Sequence, residues 1–166
     1  PFSHMMGAWT VSTVPGATSW GMMPGFPREI EDYLFFVNPT SADLSGDGYP
    51  EIISGSGGYW IRAWDGCGRE APGFPKFVGG WVISSASGDV DGDDLLEIVV
   101  TTRAGYLFVF DTEGPVDGSI GWPEFRHDNH NTGNYNTPLP YGSPVTADTP
   151  LECEIPAGPD AGPGDA

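Results

Sequence analysis

The chain is poor in basic residues. It has six lysines and arginines against 23 aspartates and glutamates, so its formal net charge at neutral pH is −17. A surface of this charge repels phosphate backbones and anionic lipid headgroups and attracts cations. The composition therefore argues against nucleic acid as a partner and favours cation binding.

Long apolar segments are also missing. No stretch of about 18 apolar residues occurs, so we expect no membrane span. Glycine and proline are abundant, at 25 and 17 residues, yet six tryptophans, six tyrosines and nine phenylalanines supply the core material that disordered chains lack. We therefore expect a folded chain that is rich in turns.

Two sequence markers recur at nearly the same spacing. A Gly-aromatic-Pro motif occurs at 25–27, 73–75 and 121–123, which are 48 residues apart. An acidic segment at 43–51 returns 46 residues later, at 89–97. Such internal repetition is typical of chains built from one structural unit in tandem.

Each repeat contains short apolar segments that are rich in β-branched and aromatic residues and bounded by Gly, Pro and Asp, a pattern typical of strands. The strands predicted for the first repeat are Leu34–Ser41, Glu51–Gly55, Tyr59–Trp64 and Lys76–Gly79. Those predicted for the second are Val82–Gly88, Glu97–Thr102 and Tyr106–Phe110, followed by a fourth that opens with Pro123–Phe125.

A tandem unit of four antiparallel strands in about 48 residues indicates an all-β fold of β-propeller blades. A β-sandwich of short strands is the alternative. Because residues 1–135 hold fewer than three such units and closed propellers use about four to eight, we expect an incomplete ring in this chain. Further blades upstream or other subunits would complete it.

The acidic segments have the spacing of oxygen ligands around a hard cation. In the first, side-chain oxygens occur at loop positions one, three, five and nine and a backbone carbonyl at position seven, and the second repeats this arrangement. The predicted ligands are Asp43, Ser45, Asp47, Tyr49 and Glu51 in the first loop and Asp89, Asp91, Asp93, Leu95 and Glu97 in the second. We predict two Ca²⁺ sites, with solvated acidic turns as the alternative, because crowded carboxylates repel one another unless a cation neutralises them.

The acidic loop, the following Ile-Ile or Ile-Val strand, the Gly turn, the aromatic strand and the Gly-aromatic-Pro motif together resemble the FG-GAP/VCBS repeats of secreted and cell-surface β-propellers. The resemblance covers about residues 25–135. It implies one calcium ion per acidic loop, a loop position between the first two strands of a blade, and an extracellular, cell-surface or periplasmic location.

The remaining segments complete the predicted organisation. Residues 1–24 are interpreted as the end of a preceding blade, residues 25–135 as two repeats with a closing segment, and residues 136–166 as a tail or linker rich in Pro, Gly and Asp. Within the closing segment, His127, Asp128 and His130 are interpreted as structural, with a zinc or acid–base site as the alternative.

Cys67 and Cys153 are the only cysteines. In an exported chain they can pair and attach the tail to a blade, but 86 residues separate them, and the sequence leaves a disulfide and two unpaired thiols both open.

The sequence contains no nucleophile elbow, zinc-protease helix motif or phosphate-binding Gly loop, so we expect no enzymatic activity. We expect a calcium-stabilised propeller module that serves binding, adhesion or assembly, with a protein or carbohydrate ligand or completing subunits as partners. The alternatives are a non-catalytic appendage of a secreted hydrolase, peptidase or polysaccharide lyase, and a structural subunit of a surface filament or large complex.

Four tryptophans are interpreted as packing residues in preference to a carbohydrate-stacking surface, namely Trp60, Trp64, Trp81 and Trp122.

Overall fold

The computed structural model describes residues 4–9, 21–30, 37–143 and 151–153, and within these ranges the chain is all-β. The ten strands are β1 His4–Met6, β2 Arg28–Ile30, β3 Thr40–Ala42, β4 Glu51–Gly55, β5 Trp60–Trp64, β6 Lys76–Phe77, β7 Val82–Gly88, β8 Leu95–Thr102, β9 Leu107–Pro115 and β10 Ile120–Trp122. None of the described residues belongs to a helix that is long and apolar enough to span a membrane.

The strands form three antiparallel sheets. The first sheet has the order β10-β3-β4-β5-β6, the second has the order β7-β8-β9, and β1 pairs with β2 alone. The all-β prediction is thus confirmed for the described residues, within which the sheets do not close into a ring.

Most predicted strands are present with shifted ends. The bounds of β4 and β7 agree with the prediction. Strand β8 begins two residues before the predicted Glu97, and β9 continues beyond the predicted end at Phe110 to Pro115. In place of the predicted Leu34–Ser41 the structure has Thr40–Ala42, and residues 34–36 lie outside the described residues.

The prediction of a fourth strand opening with Pro123–Phe125 in the second repeat is wrong. The strand near this position is β10, which pairs with β3 of the first sheet, with Ile120 opposite Ala42. The carbonyl of Pro123 then accepts a hydrogen bond from the N–H of Ser87 in β7, at 2.8 Å. The segment therefore lies between the two larger sheets instead of extending the second one.

One hydrophobic core joins the two larger sheets. Fully buried side chains of the first sheet, such as Ile53 and Ile61, pack with Ile98 and Val100 of the second. This packing follows from strand alternation, which places every second side chain of a strand on the same face. A smaller cluster packs Trp64, on the opposite face of the first sheet, against residues of β1 and β2.

Candidate metal centres

Both acidic segments lie at corresponding places in the fold. The first connects β3 to β4 and the second connects β7 to β8, so each joins the first two strands of its predicted repeat. We call residues 43–51 the first acidic loop and residues 89–97 the second acidic loop.

The first acidic loop is organised by two buried carboxylates. Asp43 accepts hydrogen bonds from the backbone N–H groups of Gly46 at 2.7 Å and Gly48 at 2.8 Å. Glu51, at the start of β4, accepts from the N–H of Leu44 at 2.6 Å and from the hydroxyl of Ser45 at 3.1 Å. These bonds fold the loop back over its own acidic side chains.

The second acidic loop repeats four hydrogen bonds of the first at an offset of 46 residues. Asp89 accepts from the N–H groups of Gly92 at 2.6 Å and Asp94 at 3.2 Å. Glu97 accepts from the N–H of Val90 at 2.6 Å. Asp93 accepts from the N–H of Leu95 at 2.9 Å, as Asp47 accepts from that of Tyr49 at 2.9 Å.

Each loop brings three carboxylates together. In the first, one oxygen from each of Asp43, Asp47 and Glu51 lies within 4.8 Å of the other two. In the second, Asp89, Asp91 and Glu97 do the same. Either group can hold a metal ion.

Four predicted ligands are not members of these groups, namely Ser45, Tyr49, Asp93 and Leu95. The carboxylate of Asp93 is not a member of the second group, and the hydroxyl of Ser45 is bonded to Glu51. The carbonyls of Tyr49 and Leu95 stay predicted ligands.

The first group concentrates negative charge inside the protein. Asp43 and Glu51 are each only 1% exposed. The pKa of Glu51 is raised to about 7, first by burial and also by the carboxylates of Asp43 and Asp47, although hydrogen bonds from Leu44 and Ser45 oppose the rise. A divalent cation among these oxygens would replace the lost hydration and remove the repulsion.

A short segment at the end of β9 contacts both acidic loops, and we call residues 113–116 the bridging segment. The N–H of Glu113 donates to the carbonyl of Leu44 at 3.1 Å, and the N–H of Val116 donates to the carbonyl of Asp94 at 3.0 Å. Gly114 is required here, because a Cβ at this position would lie 1.8 Å from the carbonyl oxygen of Asp43. The sequence prediction ended this strand at Phe110 and did not include the contact, for which Gly114 itself is the only local signal.

The closing segment is organised around Asp128. Its carboxylate accepts hydrogen bonds from the hydroxyl of Thr132 and from the backbone N–H of His130, the latter at 2.9 Å. The same carboxylate lies 3.2 Å from Nδ1 of His127. The ring of His127, 1% exposed, meets that of Trp122 edge-on at 4.9 Å. The groups of described residues that can hold a metal include neither His127 nor His130.

The two cysteines form a disulfide. Their Cα atoms lie 5.3 Å apart, and the bond joins the turn after β5 to the described tail residues 151–153. Disulfides persist in oxidising compartments and are rare in the reducing cytosol.

The tryptophans of the two repeats have packing contacts. Trp64 is 2% exposed, Trp60 meets Phe77 edge-on at 5.0 Å, and Arg103 lies over Trp81 at 4.8 Å from the ring centre.

Comparisons of the chain with protein-family models, with curated proteins and with solved structures found no match.

Proposed function

We propose that the chain is a calcium-stabilised β-propeller module of an extracellular or cell-surface protein, with a role in binding or assembly. The observation that carries this proposal is the pair of acidic loops, which share their position in the fold and four hydrogen bonds, and each of which holds a group of three carboxylates.

The donor chemistry fits calcium. All the ligands on offer are oxygens, they belong to a short curled loop, and each group includes a buried glutamate from the following strand. Calcium takes six to eight oxygen ligands in flexible geometry, whereas zinc in proteins favours four ligands that include nitrogen or sulfur. The ion would neutralise the carboxylates and fix the loop, which is a structural role.

The disulfide supports the proposed location, since it requires a non-reducing environment to persist. The second candidate function is a structural subunit of a filament or large complex. The exposed edge of β9, with Leu107 64% exposed, favours this candidate.

The test is calorimetric titration of chelator-treated protein with CaCl₂. We expect two ions per chain, and one ion for Asp47→Asn and for Asp91→Asn, because each change removes an exposed carboxylate from one group. Asp117→Asn is the matched control, since Asp117 is an exposed aspartate outside both loops, and it should keep two ions.

Calcium should also raise thermal stability. Saturation at 100 times the dissociation constant stabilises the folded state by about 2.7 kcal/mol per site. An unfolding temperature that is equal in calcium and in chelator, with no heat of binding, would contradict the calcium proposal.

A further inference from the structure

Strand β9 forms an open edge of the second sheet. It pairs with β8 on one side, and no strand of the described residues pairs with its other side. Its first exposed side chains are apolar, since Leu107 and Val109 are 64% and 44% exposed and Tyr106, just before the strand, is 60% exposed, whereas the later exposed residues Asp111 and Glu113 are acidic. Exposed strand edges are normally paired, covered or protected by charges, and the part of this edge before Asp111 has no charged residue.

The backbone groups of this edge point outward at alternate residues. The N–H of Thr102 donates to the carbonyl of Tyr106 at 2.9 Å, and the register continues with Val100 opposite Phe108. In an antiparallel ladder the intervening residues direct their N–H and C=O groups to the other side. Residues 107, 109 and 111 therefore present donors and acceptors to the open edge.

The first sheet shows how the corresponding edge is filled. There, the chain leading into β6 and β6 itself run along β5, with the N–H of Ala71 donating to the carbonyl of Ala63 at 2.9 Å. Phe77 of β6 lies opposite Trp60, and their rings meet edge-on at 5.0 Å. Beside Phe77, Lys76 lies opposite Ile61.

At an offset of 46 residues, the groups of β5 have counterparts on β9. Tyr106 corresponds to Trp60, Leu107 to Ile61, and the carbonyl of Val109 to that of Ala63. Among the described residues, the second sheet thus has a counterpart of β5 but no counterpart of β6 beside it.

The segment that the repeat pattern places beside β9 pairs with a strand of the other sheet. Ile120–Trp122 pairs with β3 on the first sheet. The glycines of the first two Gly-aromatic-Pro motifs, Gly25 and Gly73, have φ of 75° and 76°, whereas Gly121 is not among the described residues with positive φ. The third motif therefore has a different backbone conformation and a different strand partner.

We propose that the open edge of β9 binds an extended segment of a different protein as an added strand, with an aromatic residue opposite Tyr106 and a basic residue next to it. The inference rests on the binding role in the proposed function, but not on the calcium sites. Its template is β6, in which Phe77 and Lys76 have these places on the first sheet.

Charge selects a different protein over a second copy. The open edge ends at the exposed Asp111, with the exposed Glu113 just beyond it, and a second copy would bring another net charge of −17 to these acids. Its own β6 is already paired with β5. A basic segment gains attraction where a copy of this chain meets repulsion.

The probe is a labelled synthetic peptide with the order of residues 71–79, Ala-Pro-Gly-Phe-Pro-Lys-Phe-Val-Gly, measured by fluorescence anisotropy against the whole chain in calcium and in chelator. We expect saturable binding. Replacing the phenylalanine that corresponds to Phe77 with serine should weaken it about three- to tenfold, since it removes the aromatic pair with Tyr106.

On the protein, Val109→Pro removes an outward N–H that β8 does not use, so the sheet should fold while peptide binding falls about tenfold. Val109→Thr is the matched control, because it keeps the N–H and the branched shape. Tyr106→Ser, at an exposed position, gives a second variant that does not depend on proline being accommodated.

No saturable binding of the peptide, or equal binding by Val109→Pro and Tyr106→Ser, would overturn the proposal. So would a concentration-dependent dimer of the chain that Val109→Pro abolishes, because the occupant would then be a second copy. Loss of calcium binding with peptide binding intact would instead contradict only the calcium part of the proposed function.

Discussion

At the scale of single residues, the two acidic loops differ most clearly where their backbone enters the left-handed region. Gly48 has φ of 88° in the first loop, and its counterpart Asp94 has φ of 68° in the second. Both N–H groups donate to the aspartate that begins the loop. The backbone conformation is thus shared, although only the first loop uses the residue that adopts it without steric cost.

Asp94→Gly should therefore stabilise the protein by up to about 1 kcal/mol, since aspartate tolerates the left-handed region less well than glycine. The reciprocal change, Gly48→Asp, should destabilise it by a similar amount. Urea unfolding in saturating calcium measures both. Asp94→Ala removes the charge without favouring the left-handed backbone, and a Gly variant no more stable than the Ala variant would show that the backbone effect is absent.

Asp128 gives a prediction on pH. Its pKa is lowered to about 2, chiefly by the hydrogen bond from the hydroxyl of Thr132 and also by His127 and the N–H of His130, against the raising effect of desolvation. A lowered carboxylate pKa stabilises the folded state at pH above the ordinary value near 4, and this stabilisation is lost as the pH falls toward 2.

We expect Asp128→Asn to be less stable than the unmodified chain at neutral pH, with a difference that shrinks as the pH falls from about 4 to 2. Unfolding in urea at stepped pH is the measurement. A difference that stays constant over this range would mean that the charge of Asp128 does not contribute.

At the scale of elements, the disulfide closes a long loop of chain. Cys67 and Cys153 are 86 residues apart in sequence, and a cross-link of this span restricts the unfolded chain strongly. The cross-link thus favours the folded state through the length of the chain that it closes, and this effect does not depend on the length of the described tail at residues 151–153.

Replacing both cysteines with serine should cost about 2–4 kcal/mol of unfolding free energy. Reducing the unmodified chain should lower stability equally, whereas reductant should not affect the double serine variant. An unchanged denaturation midpoint after complete reduction, verified by thiol counting, would contradict this prediction.

The elements also show how far local sequence determines this fold. Strands β4 and β7 could be predicted because their β-branched residues and flanking turn residues are local signals. Each acidic group could be predicted because its members lie within nine residues of sequence. These features require no knowledge of distant contacts.

The features that were not predicted depend on distant contacts. The sequence of Ile120–Trp122 suits a strand beside β9 as well as a strand beside β3. The packing of the two sheets therefore decides that it pairs with β3. The contact of Gly114 with Asp43 likewise joins residues far apart in sequence. Asp91 and Asp93 both have the spacing of a ligand. The folded conformation of the loop determines that Asp91, and not Asp93, forms the group of three carboxylates with Asp89 and Glu97.

At the scale of the whole molecule, the net charge of −17 opposes compaction. In chelator, raising NaCl from about 0.02 to 0.5 M should raise the unfolding temperature by several degrees, because salt screens repulsion between carboxylates. In saturating calcium the rise should be smaller, since the two densest acidic groups are then neutralised. Differential scanning calorimetry measures both slopes, and equal slopes would argue against neutralisation at these groups.

The bridging segment has a consequence for how the two loops respond to cations. It bonds to Leu44 in the first loop and to Asp94 in the second, so an ion that immobilises either loop also restrains residues 113–116. Part of the ordering entropy needed at the second site is then already lost. By thermodynamic reciprocity the effect would be mutual, so that each ion would raise the affinity for the other by the same factor. Under the calcium binding proposed above, the chain would then respond to calcium over a narrower concentration range than two independent sites would allow.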